Sequence, residues 1–221
     1  MESIDKIELC HALPAVFAGS EAEPPVCDSH VWLRHITFTR PAHYLIEAES
    51  GTGKSSLCSF IYGSRTDFTG DILFDGHSVR EFDISRWCSL RRTALAYLPQ
   101  EMHLFPELSV IDNILIKNRL TDFKSEAQIR RMLTRLEIDH KADSPAGRLS
   151  VGQQQRAAIV RALCQPFSFL LADEPVSHLD SRNNSAIASL IADEAAERQA
   201  AVIATSVGNK ILLPSPVILN L

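Results

Sequence analysis

The residues from Ala48 to Ser55 read Ala-Glu-Ser-Gly-Thr-Gly-Lys-Ser. Glycines at 51 and 53 let a backbone turn so that several N–H groups point at one phosphate. Lys54 adds a cation for the β- and γ-phosphates, and Ser55 offers a hydroxyl to Mg²⁺. The spacing is that of a phosphate-binding loop with Ala48 standing at its first glycine. A short apolar run, Tyr44 to Ile46, precedes the loop, and Leu57, Phe60 and Ile61 follow it at helical spacing. The loop therefore joins a strand to a helix whose positive end lies under the phosphates. A dinucleotide fingerprint is excluded, because Ser56 stands where the third glycine would fall. Without that strand and helix the segment would be only a flexible glycine loop.

Two more segments gain meaning beside this one. Phe169-Leu170-Leu171-Ala172-Asp173-Glu174 is an apolar strand ending in two carboxylates. Asp173 is placed to hold Mg²⁺ and Glu174 to polarise an attacking water; alone, the pair would be an acidic strand end before a proline turn. Leu149-Ser150-Val151-Gly152-Gln153 precedes that strand. Ser150 by itself is an ordinary helix N-cap.

The elements that must position these residues follow from periodicity. Ile4 to Cys10 alternates as an edge strand, and Val31 to Thr39 as a second strand. Between them Gly19 to Pro25, GSEAEPP, reads as an exposed loop. Gly63 stops the helix after the phosphate loop. Ile72 to Phe74 with Asp75-Gly76 predicts a hairpin, and Ala94 to Leu98 a short strand. From His103 to Ala146 helical spacing dominates, which predicts a helical lobe inserted in a sheet-based domain. Its clearest helix starts at Ser125, with Gln128 completing a capping box and Ile129, Met132, Leu133 and Leu136 on the core face. Ser150 opens a helix running to about Leu163. Phe167 to Ala172 and Ala200 to Thr205 read as strands buried on both faces, separated by a helix over Ala186 to Ala196. Ile211 to Leu221 reads as a final edge strand broken by two prolines. Strands alternating with helices predict an α/β sheet.

Composition narrows the function. The chain has 221 residues, 45% hydrophobic and 22% charged, which is ordinary for a folded domain with its own core. A net charge of −5 disfavours nucleic acid as a partner, since phosphate neutralisation needs an excess of cations. Five cysteines without a CxxC pair argue against a disulfide framework or zinc cluster, and the eight histidines show no metal-ligand spacing. No apolar run approaches the ~20 residues that span a bilayer, so a membrane role would act through a partner.

Together the three motifs resemble the ATP-binding cassette ATPases, the nucleotide-binding subunits of ABC transporters, from about Ile4 to Val207. Residues 48–55 resemble Walker A, 169–174 Walker B and 149–153 the LSGGQ signature. Gln100 falls at the Q-loop, and Ser177-His178-Leu179-Asp180 resembles the D-loop. The text around Gln100 is most like the lipoprotein-release and macrolide-export group. The resemblance implies a single nucleotide-binding domain over 1–221, α/β, with a P-loop NTPase core. That core (1–102 and 148–221) would have a mixed sheet and a small antiparallel β subdomain, with a helical lobe at about 103–147. It implies ATP bound by Ser50, Gly51, Thr52, Gly53, Lys54, Ser55 and Ser56 of one subunit, and by Ser150, Gly152, Gln153 and Asp180 of a second cassette packed head to tail. Mg²⁺ would be held by Ser55, Gln100 and Asp173, with Glu174, Gln100 and the residue at 206 acting in hydrolysis. A membrane-embedded transporter subunit would anchor the chain to the inner face of the cell membrane on its cytoplasmic side.

The chain departs from the family at four places. Ala48 replaces a glycine, and Val151 replaces the third signature residue. Ser206 stands where the family has a switch histidine, so hydrolysis is expected to be slow but not absent, and Ser206→His to raise it. The aromatic that stacks on adenine is expected near Cys27, or at Phe17 if GSEAEPP is an insertion; Phe17 is equally a partly buried strand-end residue. An ATP-binding clamp with little hydrolysis is the alternative. A soluble ABC ATPase of repair or translation would carry two cassettes or a coiled-coil insertion, and a small-molecule kinase would have no use for residues 149–153 and 177–180.

Overall fold

A computed structural model describes residues 2–221. Among the described residues nine strands fall into two sheets. The first is antiparallel, in the order β2 (His35–Thr39), β1 (Lys6–Pro14), β4 (Phe68–Phe74), β5 (His77–Ser78). The second is wholly parallel, in the order β6 (Leu95–Leu98), β7 (Phe169–Ala172), β8 (Ala201–Ser206), β3 (His43–Glu47), β9 (Val217–Asn220). Antiparallel and parallel pairings are thus both present but kept in separate sheets.

The apolar runs at β7 and β8 are continuous because both faces are covered. Leu170, Val202 and Ala204 point into one core, shared with α3 (Val110–Asn118), α4 (Glu126–Arg135), α5 (Val151–Leu163) and α6 (Ser181–Arg198). Phe169, Leu171, Ala201 and Ile203 point into the other, shared with the antiparallel sheet, α1 (Lys54–Tyr62) and Leu90 of α2 (Ile84–Thr93). The parallel sheet is the middle layer. Each fully buried aliphatic or phenyl side chain stabilises it by about 1.5–3 kcal/mol.

Most predicted elements are present. The Ser125–Gln128 capping box forms, and Ile129, Met132, Leu133 and Leu136 are buried. Asp75 and Gly76 have positive φ and close the hairpin, while the Asp75 carboxylate accepts N–H bonds from Asp5 and Lys6. Three readings are corrected. β1 is an interior strand paired on both sides, because it continues past Cys10 through a register shift to Pro14. Val31 to Arg34 is a turn, not strand, with Leu33 in the left-handed region and Trp32 fully buried. α6 starts five residues earlier than its alanine-rich stretch, because Asp180 caps it by accepting the Asn183 N–H.

Candidate nucleotide-binding site

In a parallel sheet every strand delivers its chain to the same edge. The ends of β3, β6, β7 and β8 carry the phosphate loop, Gln100, Asp173–Glu174 and Thr205–Ser206, so one edge gathers all four. The loop from Ser50 to Gly53 leads directly into α1, whose N-cap is Gly53 at φ 99°. Only glycine fits there without strain, and a Cβ would also lie 3.0 Å from the Trp32 ring and 3.3 Å from Phe17. The Trp32 indole N–H donates to the Thr52 carbonyl at 3.0 Å, pinning the loop from beneath.

Phe17, Ser50, Gly51, Gly53, Lys54, Ser55 and Ser56 line a cleft of about 260 Å³ together with Gln100 and Glu174. Thr52 is buried, and its hydroxyl donates to the Glu49 carbonyl. Phe17 lines this cleft and Cys27 does not, while the Trp32 ring packs against the loop at Gly53. A second cleft of about 530 Å³ shares Ser55 and Gln100 and adds Asp173. Lys54 is buried, with its Nζ 2.5 Å from the Glu49 carbonyl oxygen and 3.9 Å from Glu174 Oε1. Burial pulls its pKa below the usual lysine value, and the Glu174 and Asp173 charges oppose that shift. Gln100 Nε2 donates to Glu174 Oε2 at 3.4 Å.

The carboxylates are held by a residue the sequence reading passed over. Thr205 Oγ1 donates to Asp173 Oδ1 at 2.7 Å and accepts the Glu174 N–H at 3.0 Å. Gln155, buried on α5, donates to the Glu174 carbonyl at 3.2 Å. A polar residue closing an otherwise apolar strand was the available signal for Thr205, and a glutamine on the core face of an alanine-rich helix the signal for Gln155. Trp32 gave none, since in the sequence it completes an alternating strand pattern.

The remaining expected residues stand apart from these clefts. Ser150 caps α5 and forms a capping box with Gln153. Asp180 is the α6 cap, and the Asn183 N–H keeps its carboxyl below the usual carboxylate pKa. Gly152 lies against Leu179 of the 177–180 loop. The Ser206 hydroxyl is turned to the Asn209 carbonyl, 3.0 Å away.

Known proteins place this geometry. The family model described as ABC transporter matches residues 35–177. The chain belongs to the ABC transporter family. The lipoprotein-releasing system ATP-binding protein LolD of Desulfotalea psychrophila is 29% identical over 197 residues, spanning 88% of this cassette and 86% of that protein. LolD of Buchnera aphidicola subsp. Schizaphis graminum is 30% identical over 179 residues, spanning 80% and 78%. The dimeric structure of MJ0796, a bacterial ABC transporter cassette, superposes with a TM-score of 0.78 at 22% identity, covering 97% of this cassette and 94% of that chain. A post-hydrolysis dimer of MJ0796 bound to ADP and Pi superposes with a TM-score of 0.70 at 22% identity, covering 90% and 87%. The cassette is thus an ATP-binding subunit of the ABC ATPase type, with relatives in the lipoprotein-release group and the P-loop NTPase fold expected of it.

Proposed function

We propose that this chain hydrolyses Mg-ATP between two cassettes packed head to tail and passes the resulting closure to a membrane-embedded subunit. The observation that carries this reading is the meeting of Glu174 with Lys54 and Gln100 at the mouth of the phosphate loop, 3.9 Å and 3.4 Å away. In hydrolysis the water oxygen bonds to the γ-phosphorus as the bond to the ADP oxygen breaks. Glu174 takes the water proton, and ADP and phosphate leave. The Ser50–Ser56 backbone and Lys54 cradle the phosphates, and Phe17 stacks on the adenine. Ser150, Gly152, Gln153 and Asp180 serve the partner's nucleotide.

Ser55, Gln100 and Asp173 line one cleft and offer only oxygen donors to a cation, a set that suits Mg²⁺. Bound there, the ion neutralises charge on the β- and γ-phosphates. Residues 103–147 form the helical lobe that meets the membrane subunit, within one domain spanning 1–221. Phe105, Ile116 and Leu120 are exposed along one groove of that lobe, which supports a partner there. Among the described residues no helix is long and apolar enough to cross a membrane. In this reading the partner holds the chain at the inner face of the cell membrane.

The Ser206–Asn209 bond favours a second reading, a clamp that binds ATP with little turnover. Phosphate release measured against protein concentration, with Glu174→Gln beside it, separates the two. Release that rises faster than linearly and is lost in the variant supports the ATPase. Release equal in both chains, with ATP-dependent dimers still forming, supports the clamp.

A further inference from the structure

One imidazole, His103, lines the larger cleft with its Nε2 3.2 Å from Glu101 Oε2, and a second stands exposed on the other side of Glu174 in the chain. His178 lies in the loop between β7 and α6, on the chain that leaves Glu174. Its Nδ1 is 3.0 Å from Ser177 Oγ, and Ser177 Oγ is also 3.2 Å from the Glu174 carbonyl. A carbonyl only accepts, so the single Ser177 hydrogen goes to Glu174, and His178 Nδ1–H donates to Ser177. Nε2 has no hydrogen-bond partner among the described residues and is the atom left to meet a ligand. It donates when both ring nitrogens carry a hydrogen.

This loop is held firmly. Asn209 Nδ2 donates to the carbonyls of Val176 at 2.8 Å and Leu179 at 3.0 Å. The loop also rests on the first turn of α5: a Cβ on Gly152 would sit 3.1 Å from Leu179 Cδ2 and 3.5 Å from the His178 carbonyl oxygen. Ser150, Val151 and His178 are all exposed beside this contact. Any ligand that Ser150 and the α5 N-terminus reach on a second molecule is therefore within the neighbourhood of His178. Within its own chain, the Ser206 hydroxyl is committed to the Asn209 carbonyl and does not line the cleft.

We propose that His178 acts across the interface between two copies of this chain, donating from Nε2 to a γ-phosphate oxygen of the nucleotide held by its partner. The proposal rests on the head-to-tail pairing put forward above and opposes the clamp reading. Each site would then draw Glu174 from one copy and its imidazole from the other. A hydrogen bond to a charged oxygen is worth about tenfold or more in rate.

Phosphate release at saturating Mg-ATP tests this with wild type, His178→Ala, His178→Gln, Glu174→Gln and an equal mixture of Glu174→Gln with His178→Ala. We expect His178→Ala to lower kcat at least tenfold, with ADP affinity unchanged. His178→Gln, which keeps a donor, should retain more activity. The mixture should exceed the sum of its components, because one site of the mixed dimer joins an intact Glu174 to an intact His178. Wild-type turnover in His178→Ala, or a mixture no better than its parts while wild type is active, overturns the proposal and leaves the ATPase reading standing. Wild-type release no greater than that of Glu174→Gln overturns both.

Discussion

Thr205 makes a demanding test of how the two carboxylates are held. Its hydroxyl donates to Asp173 Oδ1 at 2.7 Å and accepts the Glu174 N–H at 3.0 Å, and the residue is fully buried. Thr205→Val keeps the shape but replaces the hydroxyl by a methyl, which makes neither bond. Losing a hydrogen bond to a buried charged group costs about 1.5–3 kcal/mol, and stranding an N–H about 1–3 kcal/mol. Glu174 is only partly buried, so water can relieve its amide and the lower end of that range applies. The expected loss is about 2.5–4 kcal/mol, a large share of the roughly 5–15 kcal/mol by which a domain is stable. At this length each kcal/mol lowers Tm by about 2–4 °C, so the midpoint should fall by about 5–16 °C. Thr205→Ser keeps the hydroxyl and loses one methyl, costing about 1 kcal/mol. Thermal and urea unfolding of the three chains measure this directly. A Val variant within 1 kcal/mol of wild type, or a Ser variant as damaged as the Val variant, would refute the reasoning.

Three further outcomes follow from the same site. Trp32→Phe removes the N–H that pins the Thr52 carbonyl while keeping an aromatic ring under Gly53, and should weaken ATP binding several-fold, read by fluorescent-nucleotide titration. Phe17→Ala should weaken ATP binding about tenfold through loss of stacking and leave ATP-independent thermal stability within about 1 kcal/mol, by titration and melting. Chelating Mg²⁺ with EDTA should abolish phosphate release while a weaker nucleotide complex persists, which equilibrium dialysis against labelled ATP would detect.

What could be read in the sequence was whatever one segment determines by itself. The phosphate loop, the capping box at Ser125 and the buried strands β7 and β8 each depend on residues a few positions apart. Readings went astray where a distant partner decides the local state. β1 alternates like an edge strand, yet β2 and β4 flank it. Val31 to Arg34 alternates like a strand, yet Trp32 is drawn under the phosphate loop and Leu33 takes a positive φ. The role of Thr205 was hidden for the same reason, because its two partners lie over 30 positions away in the chain.

Glu174 is where these long-range contacts converge. Its φ is 50°, in the left-handed region, which costs a residue with a side chain of its size of order 1–3 kcal/mol unless its surroundings hold it. They do so on both sides of the residue: Thr205 accepts its N–H, while Gln155 and Ser177 donate to its carbonyl. Glu174 lies just past the end of β7 and opens the loop to Asp180, so the carboxylate facing Lys54 and the imidazole of His178 sit four residues apart on one stretch of backbone. Asn209 fixes the far side of that loop from the segment after β8. Any movement that relaxes Glu174 must therefore carry the 177–180 loop with it. In a pair of cassettes joined through those loops, the state of one nucleotide would reach the other site along a path only a few residues long.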